Sequence, residues 1–233
     1  MGDIPYSTAL IVGAGPGISA SVARKLAAAG VKIGLAARQI DKLQGLAAEI
    51  GAQTYVADAA DPASMAQLFS AVDRDLGEPD IVIYNASARV RGRIVDLDPA
   101  EVRRAIEISA FGGFLVTQQA AIRMTPRGRG AILLTGATAS VKGFPLSSTF
   151  AMGKFALRGL AQSAARELGP QGIHVAHFVI DGGVRSATRA DPKERPDSTL
   201  DPDGVAQTYL DILRQPRNAW TWEIELRPWV ETF

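Results

Sequence analysis

The chain contains no cysteine. Disulfides, thiolate nucleophiles and thiolate metal sites are therefore excluded. Histidine is nearly absent, with His174 and His177 the whole supply. Three apart on one apolar run, they face opposite sides of a strand, which argues against a shared metal and for structural roles. No nucleophile-elbow motif supports a Ser-His-Asp triad, and no metal site is expected. An excess of charge of either sign is missing too: 25 basic against 24 acidic residues leave a net +1. That balance gives no electrostatic case for nucleic acid or an anionic membrane as partner. No apolar run approaches the roughly 20 residues that span a bilayer. Residues 1–6 are too short and polar for a signal peptide. A soluble, cytoplasmic protein acting on a small molecule is the expectation.

What is present reads as one folded domain. A length of 233 residues, 47% apolar, suits a single substantial core. Strand-like and helix-like segments alternate, with no internal repeat and no second apolar core. Residues 8–13, 31–37, 52–57, 81–84, 131–134 and 173–180 are short apolar runs, as parallel strands covered on both faces require. Between the first two, Ile18, Val22 and Leu26 recur at helical spacing and Gly30 stops the helix. Ile40, Leu43, Leu46, Ala47 and Ile50 mark the next helix face. Asp61-Pro62, Asp98-Pro99 and Asp201-Pro202 each set a capping carboxylate before a first-turn proline. Glu101 completes a capping-box pattern with Asp98. The helix from Asp98 extends to Ile122, and its Gly112-Gly113 pair suggests close packing. Residues 221–227 alternate, which predicts an edge strand with one wet face. The pattern predicts a three-layer, doubly wound parallel sheet, a Rossmann fold, over residues 1–233.

The first strand runs directly into Gly13-Ala14-Gly15-Pro16-Gly17-Ile18-Ser19. A glycine loop between strand and helix lets the backbone approach a pyrophosphate, with the helix N-terminus facing the anion. At the end of the second strand, where a reader of NAD places an acid, stand Ala37 and Arg38. Arginine pairs with a 2′-phosphate and an acid repels it, so NADP(H) is favoured over NAD(H). Asp58, closing the third strand, either accepts from the adenine amine or caps local turn amides.

With the glycine loop, Arg38, Asp58, Asn85-Ala86 and Lys154 in order, the chain resembles the short-chain dehydrogenase/reductase family over about residues 8–186. The resemblance implies a single-domain Rossmann fold, a bound NAD(H) or NADP(H), and a homodimer or homotetramer. It assigns Asn85 and Ala86 to the adenosine side, Val184 to the nicotinamide carboxamide and Lys154 to the nicotinamide ribose. The departures fall on the catalytic positions. The family's asparagine is Ser109, its serine is Ala137 and its tyrosine is Phe150, so of that set Lys154 alone is kept. The glycine loop closes on Ser19, whose side chain affects helix packing or offers a hydroxyl to phosphate. The sequence resembles an atypical subgroup of the family, with phenylalanine for tyrosine and the lysine retained.

Phenylalanine has no proton to give, and a lost acid/base group typically costs 10²–10⁴-fold. Hydride transfer need not vanish, because a nicotinamide carries that chemistry. Replacement donors are Thr138, Ser140, Ser147, Ser148, Thr149 or a water. Two functions stay open: an oxidoreductase reducing a carbonyl or conjugated alkene, and a non-catalytic NADP(H)-binding sensor or partner subunit. Residues 185–203 are polar and aperiodic, and predict a flexible loop with a short helix after Asp191-Pro192. Trp229 and Phe233 are expected to join a subunit interface.

Overall fold

The computed structural model describes residues 4–186 and 188–231. Phe233 lies outside the described residues. Seven parallel strands form one sheet: β1 Thr8–Val12, β2 Lys32–Ala37, β3 Gln53–Val56, β4 Ile81–Tyr84, β5 Gly130–Thr135, β6 Ile173–Ile180 and β7 Glu223–Leu226. Their order across the sheet is β3-β2-β1-β4-β5-β6-β7. The helices are α1 Ile18–Ala28, α2 Gln44–Ile50, α3 Pro62–Leu76, α4 Pro99–Ile106, α5 Gly112–Met124, α6 Ser148–Leu168 and α7 Pro202–Leu213. Residues of α1, α2 and α7 pack on one sheet face, and those of α3, α5 and α6 on the other. The β1, β4 and β5 strands are buried end to end, which is why their sequences run apolar without alternation. The chain leaves β1 in one direction towards β3 and in the other towards β7. A crevice therefore opens beyond the carboxyl ends of β1 and β4.

The three Asp-Pro starts behave as capping chemistry requires. Asp61, Asp98 and Asp201 accept from the amides of Ala63, Ala100 and Asp203, each with proline in the first turn. Glu101 makes no return bond, so the capping box does not close. Asp191-Pro192 starts no helix. The Asp191 carboxylate instead accepts from Thr199 N (2.8 Å) and Thr199 Oγ1 (2.6 Å) and pairs with Arg185 at 3.0 Å. The segment that follows is polar, with no apolar face to hold a helix against the core.

The helix expected to run unbroken from Asp98 to Ile122 contains a π-turn, Glu107–Phe111, and ends at Met124. The widened turn leaves the Ile108 carbonyl free to accept from the buried Tyr84 hydroxyl. Glycines follow for a packing reason. A Cβ on Gly112 would stand 2.5 Å from Tyr84 Oη and 2.7 Å from Ala59 O, and one on Gly113 would stand 2.4 Å from Leu157 Cδ1. Ordinary side chains would push α5 off the sheet.

At the edge, β7 is less wet than its alternation implies. Glu225 is exposed, but Glu223 is partly covered and pairs with Arg158 of α6. Of the acids between residues 73 and 80, Asp75 and Glu78 are exposed and Asp80 is not. Asp80 is buried, accepts from Ser7 N (2.9 Å) and Ser7 Oγ (2.8 Å), and pairs with Arg127 and Arg129. Among the described residues, no helix is long and apolar enough to cross a membrane.

Candidate active site

The crevice holds a groove of about 600 Å³. Gly13, Ala14, Gly15 and Pro16 line it after β1, Arg38, Gln39 and Lys42 after β2, Asp58 after β3, and Asn85, Ala86 and Ser87 after β4. Gly17 and Ile18 lie just outside this lining, where Gly17 caps α1 and Ile18 begins it. Gly13 must be glycine. Its φ is +82°, and a Cβ would stand 2.3 Å from Ala86 N. Gly15 and Gly17 face open space instead, with nothing within 4 Å of an added Cβ. Backbone is thus exposed where an anion would approach the helix terminus.

Ser19 is buried and its hydroxyl is committed. It donates to Gly13 O at 3.4 Å and accepts from Asn85 Nδ2 at 2.7 Å. The hydroxyl therefore ties the glycine loop to the end of β4, and is not offered to phosphate. Asn85 is fixed by the same bond, and its amide donates to Val12 O at 2.9 Å.

Arg38 and Lys42 bring two cations to the groove. Lys42 carried no local motif; its sequence signal was a second cation one helical turn after Arg38. Asp58 is the acid of the lining. It lies beyond β3, where it accepts from Ala60 N (3.0 Å) and pairs with Arg104 of α4. Burial alone would raise its pKa, but the Ala60 amide and Arg104 hold it below the usual carboxylate range. Local capping and a distant ion pair thus occupy Asp58, with an edge left on the groove.

The residues at the family's catalytic positions gather beside the groove, off its lining. Ser109 is buried in the π-turn, accepting from Ala88 N at 3.1 Å and donating to Ala88 O at 3.4 Å. It packs on Gly153, where a Cβ would stand 2.6 Å from Ser109 Cβ. Ala137 is extended, its amide donating to Ser140 Oγ at 3.1 Å. Phe150 is buried beneath the Arg89 guanidinium, whose carbon sits 3.9 Å above the ring centre. Lys154 is buried one turn on, 5.8 Å from the same ring centre. Its Nζ donates to Thr135 O at 2.7 Å. Burial, and then repulsion from Arg89, push this ammonium down to about 7. Val184 bridges to Leu200, with Arg185 N donating to Leu200 O and Leu200 N to Gly183 O. Its own amide and carbonyl are left out of that pairing.

Of the candidate proton donors, Ser140 is fully buried and spent on the Ala137 amide and His177 Nε2 (3.3 Å). Thr149 is buried as well. Thr138, Ser147 and Ser148 remain half-buried and accessible.

Below the site runs a polar chain that no local pattern announced. Arg158, one turn beyond Lys154, holds Glu223 through two bonds of 2.6 and 2.7 Å. Glu223 accepts from His177 Nδ1 at 3.0 Å, and His177 reaches Ser140. Arg158 holds the Glu223 carboxyl below its usual range, and burial drives His177 down to about 4. The imidazole is therefore neutral at neutral pH. His174 has a separate role, stacked on Trp220 with centroids 4.7 Å apart and bonded to Thr221 O.

The sequence pattern of the short chain dehydrogenase family matches residues 7–197. The chain belongs to that family. Among relatives of this short-chain dehydrogenase, the trans-4-hydroxycyclohexanecarboxylate dehydrogenase of Sinomonas cyclohexanicum is 32% identical over 198 residues, covering 80% of this chain and 76% of the relative. A short-chain dehydrogenase from Rhodopseudomonas palustris superposes with a TM-score of 0.82 at 34% identity, covering 96% of this chain and 99% of that one. A metagenomic short-chain oxidoreductase in complex with NADP matches with a TM-score of 0.83 at 25% identity, over 95% and 97% of the two chains. The family binds NAD(P)(H), and the chain is an oxidoreductase of this family.

Proposed function

We propose that this short-chain dehydrogenase is an NADP(H)-dependent oxidoreductase that reduces a carbonyl or conjugated alkene through a non-standard proton donor. The observation carrying the cofactor choice is the pair Arg38 and Lys42 on a groove whose acid, Asp58, is already paired with Arg104. A 2′-phosphate there meets two cations and little opposing charge. The NADP complex of the metagenomic relative supports the same reading.

The residues present fit the cofactor. Gly13, Gly15 and Gly17 offer backbone to the pyrophosphate, with the α1 N-terminus, where Ile18 starts, behind them. Asn85, pinned by Ser19, and Ala86 form the adenosine wall, and Asp58 its edge. Lys154 and the free backbone groups of Val184 serve the nicotinamide end. When bound, the cofactor supplies the hydride. Phe150 supplies no proton, and Ala137 and Ser109 supply no relay. Thr138, Ser147 and Ser148 are the candidate hydroxyls left accessible for that role. The chain thus stands in an atypical subgroup defined by Phe150 with Lys154 retained.

The same reading includes a homodimer or homotetramer. Phe111, Phe114, Ile122, Met152 and Phe155 are exposed together along the π-turn, α5 and α6, a concentration of apolar side chains that a monomer rarely leaves bare.

Single-turnover oxidation of NADPH with a panel of aldehydes, ketones and enones tests the proposal. Turnover of an enone or activated carbonyl, with slow reaction of simple ketones, is expected. Tight NADPH binding with no turnover across the panel would replace it with a non-catalytic sensor or partner subunit.

A further inference from the structure

Arg38 shares the cofactor groove with an acid and does not pair with it. Arg38 and Asp58 both line the groove, and they follow the same ends of neighbouring strands. Ala37 stands beside Val56 in the β2–β3 register, and Ala57 N donates to Ala37 O at 3.0 Å. Neighbouring strands lie roughly 4.8 Å apart, a gap that an arginine side chain spans. Yet among the described residues Arg38 has no hydrogen-bonded or ion-paired carboxylate.

Asp58 is taken by a cation from elsewhere. One of its carboxylate oxygens accepts from Ala60 N at 3.0 Å, and the other accepts from Arg104 Nη2. Its own amide donates to Ser64 Oγ at 3.0 Å, so backbone and side chain are both fixed. Arg104 belongs to α4, 46 residues further along the chain, and is not part of the groove lining. Glu107, one turn on, accepts from Arg104 Nη1 at 3.5 Å and gives the guanidinium a second anchor. Without Arg104, the cations left to Asp58 within the groove are Arg38 and Lys42. A guanidinium forked onto a carboxylate no longer offers that fork to a phosphate. A carboxylate without a partner also repels a phosphate that lies within the Debye length of about 10 Å.

We infer that Arg104 sets the cofactor preference from outside the groove, by holding Asp58 so that Arg38 stays free for a 2′-phosphate. It is a positioning residue, since it acts through Asp58. The inference rests on the NADP(H) reading of the groove. Exposure bounds the size of the effect. The Arg104 and Asp58 side chains are 44% and 36% exposed, so water screens the pair. Losing Arg104 should therefore weaken NADPH by about threefold to fivefold, the upper part of the range for an exposed pair, and by less than losing Arg38 itself.

Equilibrium titration with NADPH, NADH and adenosine 2′-monophosphate tests this, at low ionic strength where exposed charges are least screened. Arg104→Met should weaken NADPH and adenosine 2′-monophosphate by that factor and leave NADH nearly unchanged. Arg104→Lys should keep part of the NADPH affinity. Adding Asp58→Asn to Arg104→Met should restore it, because an amide neither captures Arg38 nor repels phosphate. A merely structural role for Arg104 would weaken both dinucleotides alike, and removing a second charge would not reverse the loss. NADPH affinity unchanged in Arg104→Met, equal losses for NADPH and NADH, or a loss that Asp58→Asn fails to reverse would each overturn the inference. A preference for NADPH that survives Arg104→Met removes this inference alone. Equal affinity for the two dinucleotides in the unmutated protein removes the cofactor reading, and this inference with it.

Discussion

Replacing Lys154 by methionine should change how stability depends on pH, and the size of the effect follows from its burial. The side chain is 3% exposed, its ammonium has the Thr135 carbonyl at 2.7 Å, and burial with Arg89 repulsion lowers its pKa from 10.5 to about 7. A lysine whose folded pKa is depressed is bound by fewer protons in the native state than in the unfolded state between those two values. Stability therefore rises with pH across about pH 7 to 10.5 and is lowest below pH 7, where folding must bury the charge. The full span corresponds to roughly 5 kcal/mol, at 1.36 kcal/mol per unit. Between pH 7 and pH 9, roughly 2 kcal/mol of that gain should be visible. Methionine keeps the volume and removes the titration, leaving the Thr135 carbonyl without this donor at a cost of about 1–3 kcal/mol. Urea denaturation at intervals from pH 6 to pH 9 measures both effects. The unmutated protein should gain on the variant as pH rises, and the variant should keep only the shallow rise below about pH 7 that the depressed His174 and His177 give both proteins. Parallel profiles would refute the reasoning, because they would mean that the folded protein hydrates this ammonium as well as the unfolded chain does.

Four further outcomes are expected. Arg38→Ala should weaken NADPH binding by roughly 1.5–3 kcal/mol and leave NADH nearly unchanged, as measured by equilibrium fluorescence. Equal losses for both would remove the 2′-phosphate assignment. Phe150→Tyr with Ala137→Ser should raise single-turnover reduction of simple ketones, by less than the ~10²–10⁴-fold worth of a placed acid, because Ser109 does not restore the relay; no gain would mean that Arg89 or Lys154 is wrongly placed for it. Gly13→Ala should cost at least ~1–3 kcal/mol from its positive φ, and more from the contact with Ala86, so a urea midpoint unchanged within error would contradict the loop geometry. Phe114→Glu should convert a dimer into a 24.6 kDa particle in light scattering, and a monomer before substitution would sink the proposed interface.

Much of the fold was legible because it is written locally. Continuous apolar runs, helical spacing and three Asp-Pro caps each report on a few adjacent residues, and the strands lie within a residue or two of the runs that announced them. The glycine loop belongs to the same class, since its meaning depends on the strand before it and the helix after it. The π-turn was not legible, because widening one turn leaves the apolar spacing almost unchanged. Gly112-Gly113 was its trace, and the reason for those glycines lies in Tyr84 and Leu157. Asp191-Pro192 carries the same two letters as the true helix starts, but Thr199 and Arg185 take its carboxylate.

The site was legible where it touches the loop and illegible where it depends on pairing across the sheet. Asp58 meets Arg104 from 46 residues away, and Arg158 meets Glu223 from 65 away. His177 meets Glu223 because β6 and β7 register them side by side. No periodicity encodes such contacts. Phe150, where the family resemblance expects a tyrosine, was visible as a letter, but its surroundings were not. That Arg89 rests on the replacing ring, and that Lys154 turns to Thr135, follow from where two loops and one strand end meet.

The central claim is that this fold binds NADP(H) with preference over NAD(H) and uses it for hydride transfer. Equilibrium titration of the intact protein with NADPH and NADH, followed by nicotinamide fluorescence, tests the binding on which everything else depends. NADPH should bind at least about tenfold more tightly, consistent with a charge-assisted contact to the 2′-phosphate. Equal affinity, a preference for NADH, or no binding of either would contradict the account.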